Sequence, residues 1–239
     1  MSFHSDSIDA VVFDVFGTVV DWRTSIIREG RDLGTRKRID ADWEAFADAW
    51  RGKYQPSMEK VRAGERPWTR LDDLHRESLL ELIHEFGLEG LDDGEIDHFN
   101  RAWHRLDPWP DSVEGLTRLK ARYIIATLSN GNIALLLNMA KRAGLPWDAI
   151  LGAEPARAYK PMPESYLRTA AFLGLPASRV MLCAAHNDDV AAARSHGYRT
   201  AFVRRPTEYG PHQNRDLEAE HDFDVIGESI IEVAEELGC

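Results

Sequence analysis

Cysteine is scarce. Only Cys183 and Cys239 occur among the 239 residues, one in an apolar run and one at the end of the chain, so no disulfide framework is expected and a reducing, cytoplasmic setting is. Positive charge is also short: 29 Lys plus Arg face 40 Asp plus Glu, a net charge of -11. Such a balance disfavours nucleic acid and anionic membrane surfaces as partners, neither of which is expected, and leaves any anionic substrate to be held by local positive groups. No apolar run approaches the roughly 20 residues of a membrane span. The opening M-S-F-H-S-D-S-I lacks the basic start and apolar core of a secretion signal, so no membrane association is expected. The glycines never gather into a phosphate-cradling loop, and no cofactor is expected.

An apolar fraction of 44% is ordinary for a globular chain, and the length allows one large domain or a core with an insert. The first strong pattern is V-V-F-D-V-F-G-T-V-V-D, Val11 to Asp21. Its apolar start reads as a buried strand that delivers Asp14 to a sheet edge, with a turn at Gly17 and Thr18. From about Trp22 to Leu106 the pattern is helical throughout. Trp43, Phe46, Ala49 and Trp50 recur at helical spacing, as do Leu71, Leu74, Leu79, Leu80 and Ile83. Breaks at Gly64–Pro67 and Phe86–Gly90 divide this stretch into three blocks, and Pro108 and Pro110 mark its end.

Beyond Asp111 strands and helices alternate. Strands are predicted at 123–128, 149–153, 180–185, 200–203 and 223–226, and helices at 113–121, 133–143, 163–173 and 188–195, with a last helix ending near Leu237. Alternation of this kind predicts right-handed parallel crossovers and a doubly wound, Rossmann-like α/β sheet. The helical stretch interrupts that sheet after its first strand. We therefore expect a core of residues 1–21 and 108–239 and an inserted, all-helical cap of residues 22–107.

In open α/β sheets, ligands collect at the carboxyl ends of the strands. Four strand ends carry polar residues there: Asp14, then Ser129-Asn130, then Lys160 in the following loop, then His186 to Asp189. By itself Asp14 reads equally as a nucleophile or as a solvated acid at a strand-to-turn junction. The four together point to a site.

This order resembles the haloacid dehalogenase superfamily over nearly the whole chain. The superfamily's nucleophilic Asp with a Thr four residues on is met by Asp14 and Thr18, its Ser by Ser129, its Lys by Lys160, and its acidic cluster in part by A-A-H-N-D-D, Ala184 to Asp189. Two departures are informative. Phosphatases of the superfamily carry a second Asp two residues after the nucleophile, which protonates the leaving group; Phe16 stands there, and a departing halide needs no proton. They also hold Mg²⁺ with an acid that is replaced here by Ala185, beside Ala184, whereas a hard cation wants oxygen ligands. No metal site is expected. The subgroup most similar is the 2-haloacid dehalogenases, through Ser129-Asn130-Gly131, the Lys160 to Tyr166 spacing, and Trp50-Arg51 in the cap.

The resemblance implies attack by the Asp14 carboxylate on the halogen-bearing carbon of a short 2-haloacid, then hydrolysis of the aspartyl ester at Asp14 itself, with inversion at a chiral carbon. It implies that Lys160 keeps Asp14 ionised, that Thr18 and Ser129 hold its oxygens or the substrate carboxylate, that Asn130 and Tyr166 help bind substrate or halide, and that Arg51 receives halide or carboxylate. Amides at the start of the helix after Asn132 add an anion site in this reading. Asp189 is the expected activator of water, oriented by His186 and Asn187. Asp188 reads as a helix N-terminal acid. Phe16 and Trp22 are put forward for the halide pocket, although the tryptophans as a set read as cap core. The A-A-H-N form is similar to relatives acting on haloacetates, fluorinated ones included, so these join 2-halopropionate as candidate substrates. A phosphatase for a small phosphate ester and a non-catalytic binding descendant stay open as alternatives. Pairing of two chains through their aromatic-rich caps and closure of each cap over its own site are both open as well.

Overall fold

The computed structural model describes residues 4–239; the first three residues of the stretch read above for a secretion signal lie outside the described residues. Its strands are β1 (Ala10–Phe13), β2 (Val20–Asp21), β3 (Asp107–Pro108), β4 (Ile124–Ser129), β5 (Ala149–Gly152), β6 (Val180–Ala184), β7 (Arg199–Val203) and β8 (Val225–Gly227). Six of them form one sheet in the order β5-β4-β1-β6-β7-β8, with every pairing parallel. The apolar run before Asp14 explains the position of β1. All four of its residues are buried, as befits a central strand covered on both faces. Alternation of side chains sends Val11 and Phe13 into one core cluster and Ala10 and Val12 into the other.

Register then decides what meets at the edge. Phe13 pairs with Thr127 on β4 and with Cys183 on β6, so Asp14, Ser129 and the residues after Ala184 leave the sheet side by side. The predicted helices of the core are α6 (Ser112–Lys120), α7 (Ile133–Ala143), α9 (Pro163–Phe172), α10 (Asn187–Ser195) and α11 (Ile230–Glu236), with one added turn, α8 (Ala153–Ala156). Gly144 closes α7 in the left-handed conformation that the sequence pattern required of it.

The helical stretch is finer-grained than its three sequence blocks. The first block is three helices, α1 (Trp22–Lys37), α2 (Trp43–Gly52) and α3 (Tyr54–Arg62); the others are α4 (Leu71–Glu85) and α5 (Asp93–Asn100), followed by a 3-10 segment, Arg101–Arg105. A left-handed Arg38 ends α1 and the Asp42 side chain caps α2, punctuation that hydrophobic periodicity does not register. The prolines at 108 and 110 do stop the helical pattern, but the chain there is not merely a linker. β3 pairs antiparallel with β2 and forms a two-stranded stem through which the chain leaves and re-enters the core. We propose residues 22–107 as the cap unit, bounded by this stem.

One core cluster runs without interruption from Val11 and Phe13 through Phe16 and Trp22 to Trp50 and Trp103 of the cap. Cap and sheet thus share one apolar interior. No helix of the described residues is long and apolar enough to cross a membrane.

Candidate active site

Asp14 follows β1 directly and is buried. Its Oδ1 accepts from the Lys160 ammonium at 2.9 Å, and its Oδ2 accepts from the Thr18 hydroxyl at 2.9 Å. Thr18 Oγ1 in turn accepts from the Ala185 amide at 2.9 Å, which ties the first loop to the end of β6. Burial pushes the Asp14 carboxyl up, but Lys160 and His186 outweigh it and hold the group well below the usual carboxylate range. The result is a desolvated carboxylate that stays ionised. Lys160 is buried too, and pairs with Asp189 as well as Asp14. Burial alone would lower its affinity for a proton; the two carboxylates reverse that and raise it.

His186, the N-cap of α10, lies between two carboxylates. Its Nδ1 is 3.3 Å from Asp14 Oδ2, and its Nε2 is 2.9 Å from Glu208 Oε2. Burial opposes protonation of this ring, yet Glu208 and Asp14 raise its proton affinity well above the ordinary histidine value. Glu208 is fully buried on the loop after β7, and it also accepts from Trp22 Nε1 at 3.0 Å. Burial raises its carboxyl, and His186 outweighs that and lowers it. Arg205 fastens the base of this loop, donating to the Thr18 carbonyl at 2.9 Å and, with both guanidinium nitrogens, to Asp111.

The cap supplies the opposite wall of a cavity of about 660 Å³. Arg51, from α2, stacks over Tyr54 at 4.2 Å and over Trp22 at 5.3 Å. Its Nη1 is buried with no hydrogen-bond partner among the described residues. Burial pulls the guanidinium down, but Tyr209, Tyr54, Glu208 and Asp14 outweigh this and keep it charged. A buried, charged fork with an unused donor is costly unless something anionic completes it. Phe16 closes the floor of this chamber, packing edge-on against Tyr54 and Trp103.

Of the residues expected at the site, Asp14, Phe16, Trp22, Arg51, Asn130, Lys160, Tyr166, His186 and Asp189 all line the cavity. Thr18 stands immediately behind Asp14. Others sit differently. Ser129 is fully buried, its hydroxyl accepts from the Gly131 amide at 3.2 Å, and it is not part of the cavity wall. Asn130 Oδ1 accepts from the Lys160 amide at 2.8 Å, so it positions the lysine as well as facing the cavity. Asn187 is not part of the cavity wall and spends its side chain on Asp216, the Glu218 carbonyl and the Glu220 amide. It fastens the far end of the loop that carries Glu208. Asp189 accepts from Lys160 and, at 2.7 Å, from the Tyr166 hydroxyl, so both of its oxygens are engaged. The expected anion site at the start of α7 is filled from within, because Ile133 N–H donates to Glu154 at 2.6 Å.

Glu208, Tyr54 and Tyr209 were not among the residues expected at the site. The rule that picked the other strand ends applies equally to β7, whose following loop reads R-R-P-T-E-Y, and would have found Glu208. A divalent cation does not fit these residues. The two oxygens of Asp14 face an ammonium, a hydroxyl and an imidazole, and Ala185 offers no oxygen from its side chain. Among the described residues no group of three or more His, Cys, Asp and Glu side chains could hold a metal ion.

With this geometry in hand, comparison with known proteins is informative. The chain is 30% identical over 210 residues to (S)-2-haloacid dehalogenase 4A of Burkholderia cepacia, covering 85% of this chain and 87% of that one. It is 22% identical over 201 residues to haloacetate dehalogenase H-2 of Moraxella sp., covering 83% and 86%. The solved structure of a defluorinating L-2-haloacid dehalogenase superposes with a TM-score of 0.95 at 50% identity, over 100% of both chains. That of another L-2-haloacid dehalogenase superposes with a TM-score of 0.94 at 48% identity, over 97% of this chain and 99% of the other. A family model for haloacid dehalogenase-like hydrolases matches residues 8–197, and the chain belongs to that family.

Proposed function

We propose that this protein is a hydrolytic dehalogenase that cleaves the carbon–halogen bond of short 2-haloacids, releasing halide and a 2-hydroxy acid. The observation that carries the reading is the pairing of Asp14 and Arg51 across one cavity. A buried, ionised carboxylate with no acid two residues on faces a buried guanidinium with an unused donor in an aromatic chamber. A phosphate ester needs a proton delivered to its leaving oxygen, and Phe16 supplies none, which disfavours the phosphatase alternative.

In this reading Asp14 attacks the halogen-bearing carbon in line, the carbon–halogen bond breaks, and an ester joins that carbon to Asp14. Arg51 receives the halide or the substrate carboxylate, while Phe16, Trp22 and Tyr54 keep water from the chamber. Lys160 and Thr18 hold Asp14 in position. Water then attacks the ester carbonyl of Asp14, and the hydroxy acid leaves with the ester oxygen. The base for that step is best supplied by His186 backed by Glu208, since both oxygens of Asp189 are engaged by Lys160 and Tyr166. We assign Asp189 and Tyr166 to holding Lys160. Similarity to a defluorinating L-2-haloacid dehalogenase and to a haloacetate dehalogenase supports 2-halopropionates and haloacetates, fluoroacetate included, as the substrates to try first.

The test is direct. Purified protein with chloroacetate, fluoroacetate and 2-chloropropionate in EDTA should release halide, and should leave p-nitrophenyl phosphate intact in the presence of Mg²⁺. Phosphatase turnover without halide release overturns the proposal, and binding of these acids without turnover favours a non-catalytic descendant.

A further inference from the structure

The His186 ring faces a carboxylate at each nitrogen, Asp14 at Nδ1 and Glu208 at Nε2. A neutral imidazole carries one N–H and can donate to only one of them; serving both takes the doubly protonated imidazolium. The two carboxylates do not share the same fate. In the reaction proposed above, on which this inference rests, Glu208 stays a carboxylate throughout, whereas Asp14 becomes a neutral ester. We propose that alkylation of Asp14 is what discharges the proton of His186, so that the base for hydrolysis is made by the first chemical step and does not exist before it.

The balance closes in two steps. In the first, the Asp14 carboxylate displaces halide. The carbon–halogen bond breaks with its electron pair going to the halide, the new carbon–oxygen bond forms, and the Nδ1 proton of His186, left without its anionic partner, passes to solvent through the cavity that the ring lines. In the second, neutral His186, its remaining N–H on Glu208, takes a proton from water as that water attacks the Asp14 carbonyl. The acyl–oxygen bond breaks, its electron pair and the water's second proton go to the hydroxy acid, and the Asp14 carboxylate and the imidazolium are both restored. One proton per turnover is lost, and it is lost with the halide.

The other charges around the ring do not offset the change at Asp14. Lys160, from the loop after β5, keeps Asp189 as a partner, but half of its neutralising charge disappears with the ester, which disfavours a neighbouring imidazolium further. Asp188 and Asp189 of α10, Arg51 of the cap, and Tyr209, Arg215 and Asp216 of the loop after β7 also border the cavity, and none of them changes covalent state in the cycle. In the resting protein, burial works against the imidazolium, and Glu208 and Asp14 outweigh burial. Removing one of the two reverses part of that balance.

Single-turnover kinetics decide the matter. Full-length protein in excess over 2-chloropropionate, in weakly buffered solution with a pH indicator, is followed for acid and halide, and quenched samples are weighed for the Asp14 ester. One proton per halide is expected, at the rate of halide release and ahead of the hydroxy acid. Where hydrolysis outruns alkylation, Glu208→Gln weakens the base and slows hydrolysis by about 10²-fold or more, so that ester accumulates, and with one of its two carboxylates already gone the ring releases less than one proton per ester. His186→Asn should accumulate ester with halide but without the accompanying proton. Acid that trails halide and tracks the hydroxy acid overturns the proposal. So does a Glu208→Gln protein that accumulates no ester, or a His186→Asn protein that still releases a proton on alkylation. Absence of halide release altogether speaks against the dehalogenase reading instead.

Discussion

The Glu208 carboxylate occupies the space that a side chain on residue 17 would need: a Cβ built on Gly17 would fall 2.1 Å from Glu208 Oε1. The loop that follows the nucleophile and the loop that backs His186 therefore interlock, and glycine is the residue that lets them. Its φ of +88° adds a second demand that only glycine meets without strain.

Gly17→Ala should accordingly lose stability and activity together. Backbone strain alone costs about 1–3 kcal/mol, and for a chain of this size each kcal/mol lowers the melting temperature by roughly 2–4 °C. Displacement of Glu208 from His186 and Trp22 should lower kcat by about tenfold or more. Thermal unfolding and steady-state halide release measure the two effects. A variant with unaltered kcat would show that the position of Glu208 does not govern turnover.

Lys160→Met removes the ammonium that joins Asp14 to Asp189. Desolvation then acts on Asp14 with less to oppose it, so its carboxyl titrates higher and the protein gains an acid limb in its pH–rate profile. The sign follows from the state required: attack needs the carboxylate, so activity falls as pH drops through the raised value. Turnover at neutral pH should fall by about 10³-fold or more, because the lysine both charges and orients the nucleophile. A profile of unchanged shape would argue that Lys160 serves orientation only.

Arg51→Ala and Arg51→Lys should both lose kcat/KM, by roughly 10- to 100-fold for the loss of a charge-assisted hydrogen bond to the bound anion. Lysine should not rescue, since its point charge cannot stack between Tyr54 and Trp22 and present a planar fork. Kinetics on chloroacetate and 2-chloropropionate test this, and full rescue by lysine would reduce the role of Arg51 to charge alone.

His75 offers a prediction about stability. Its ring is buried in the cap, stacks on Trp103 at 4.4 Å, and leaves both nitrogens without a hydrogen-bond partner among the described residues. Burial holds its pKa down to about 3. The folded state keeps the ring neutral while the unfolded chain protonates it near the ordinary histidine value of 6.5, so its contribution to stability is lost as pH falls from that value toward about 3, and is constant above. His75→Phe should stabilise the protein by about 1–3 kcal/mol at neutral pH, by removing an unsatisfied buried polar group. It should also flatten the acid side of the stability profile. Urea unfolding across that range is the measurement, and equal slopes for both proteins would place the acid sensitivity elsewhere.

How much of this was readable without coordinates varied with the distance over which each feature is encoded. Strand ends are local, so Asp14, Lys160, His186 and Asp189 could be assigned to one edge from periodicity alone, and the parallel sheet and helical cap followed from the same pattern. Three cap helices were read as one block, because a left-handed Arg38 and an Asp42 cap leave hydrophobic spacing intact. Asn187 was read as a water-orienting residue from its place beside His186, yet adjacent residues at a helix start point different ways, and this one turns to Asp216.

The sequence by itself determined which groups stand at the sheet edge and, through Phe16, that no acid stands two residues after Asp14 to serve a leaving oxygen. Those are matters of chain-local pattern and residue identity. Only the tertiary structure decided that Glu208, 22 residues beyond His186, returns to hold its ring. Fastenings at Arg205–Asp111 and Asn187–Asp216 direct that loop, and contacts between residues so far apart in the chain have no periodic signature to be read.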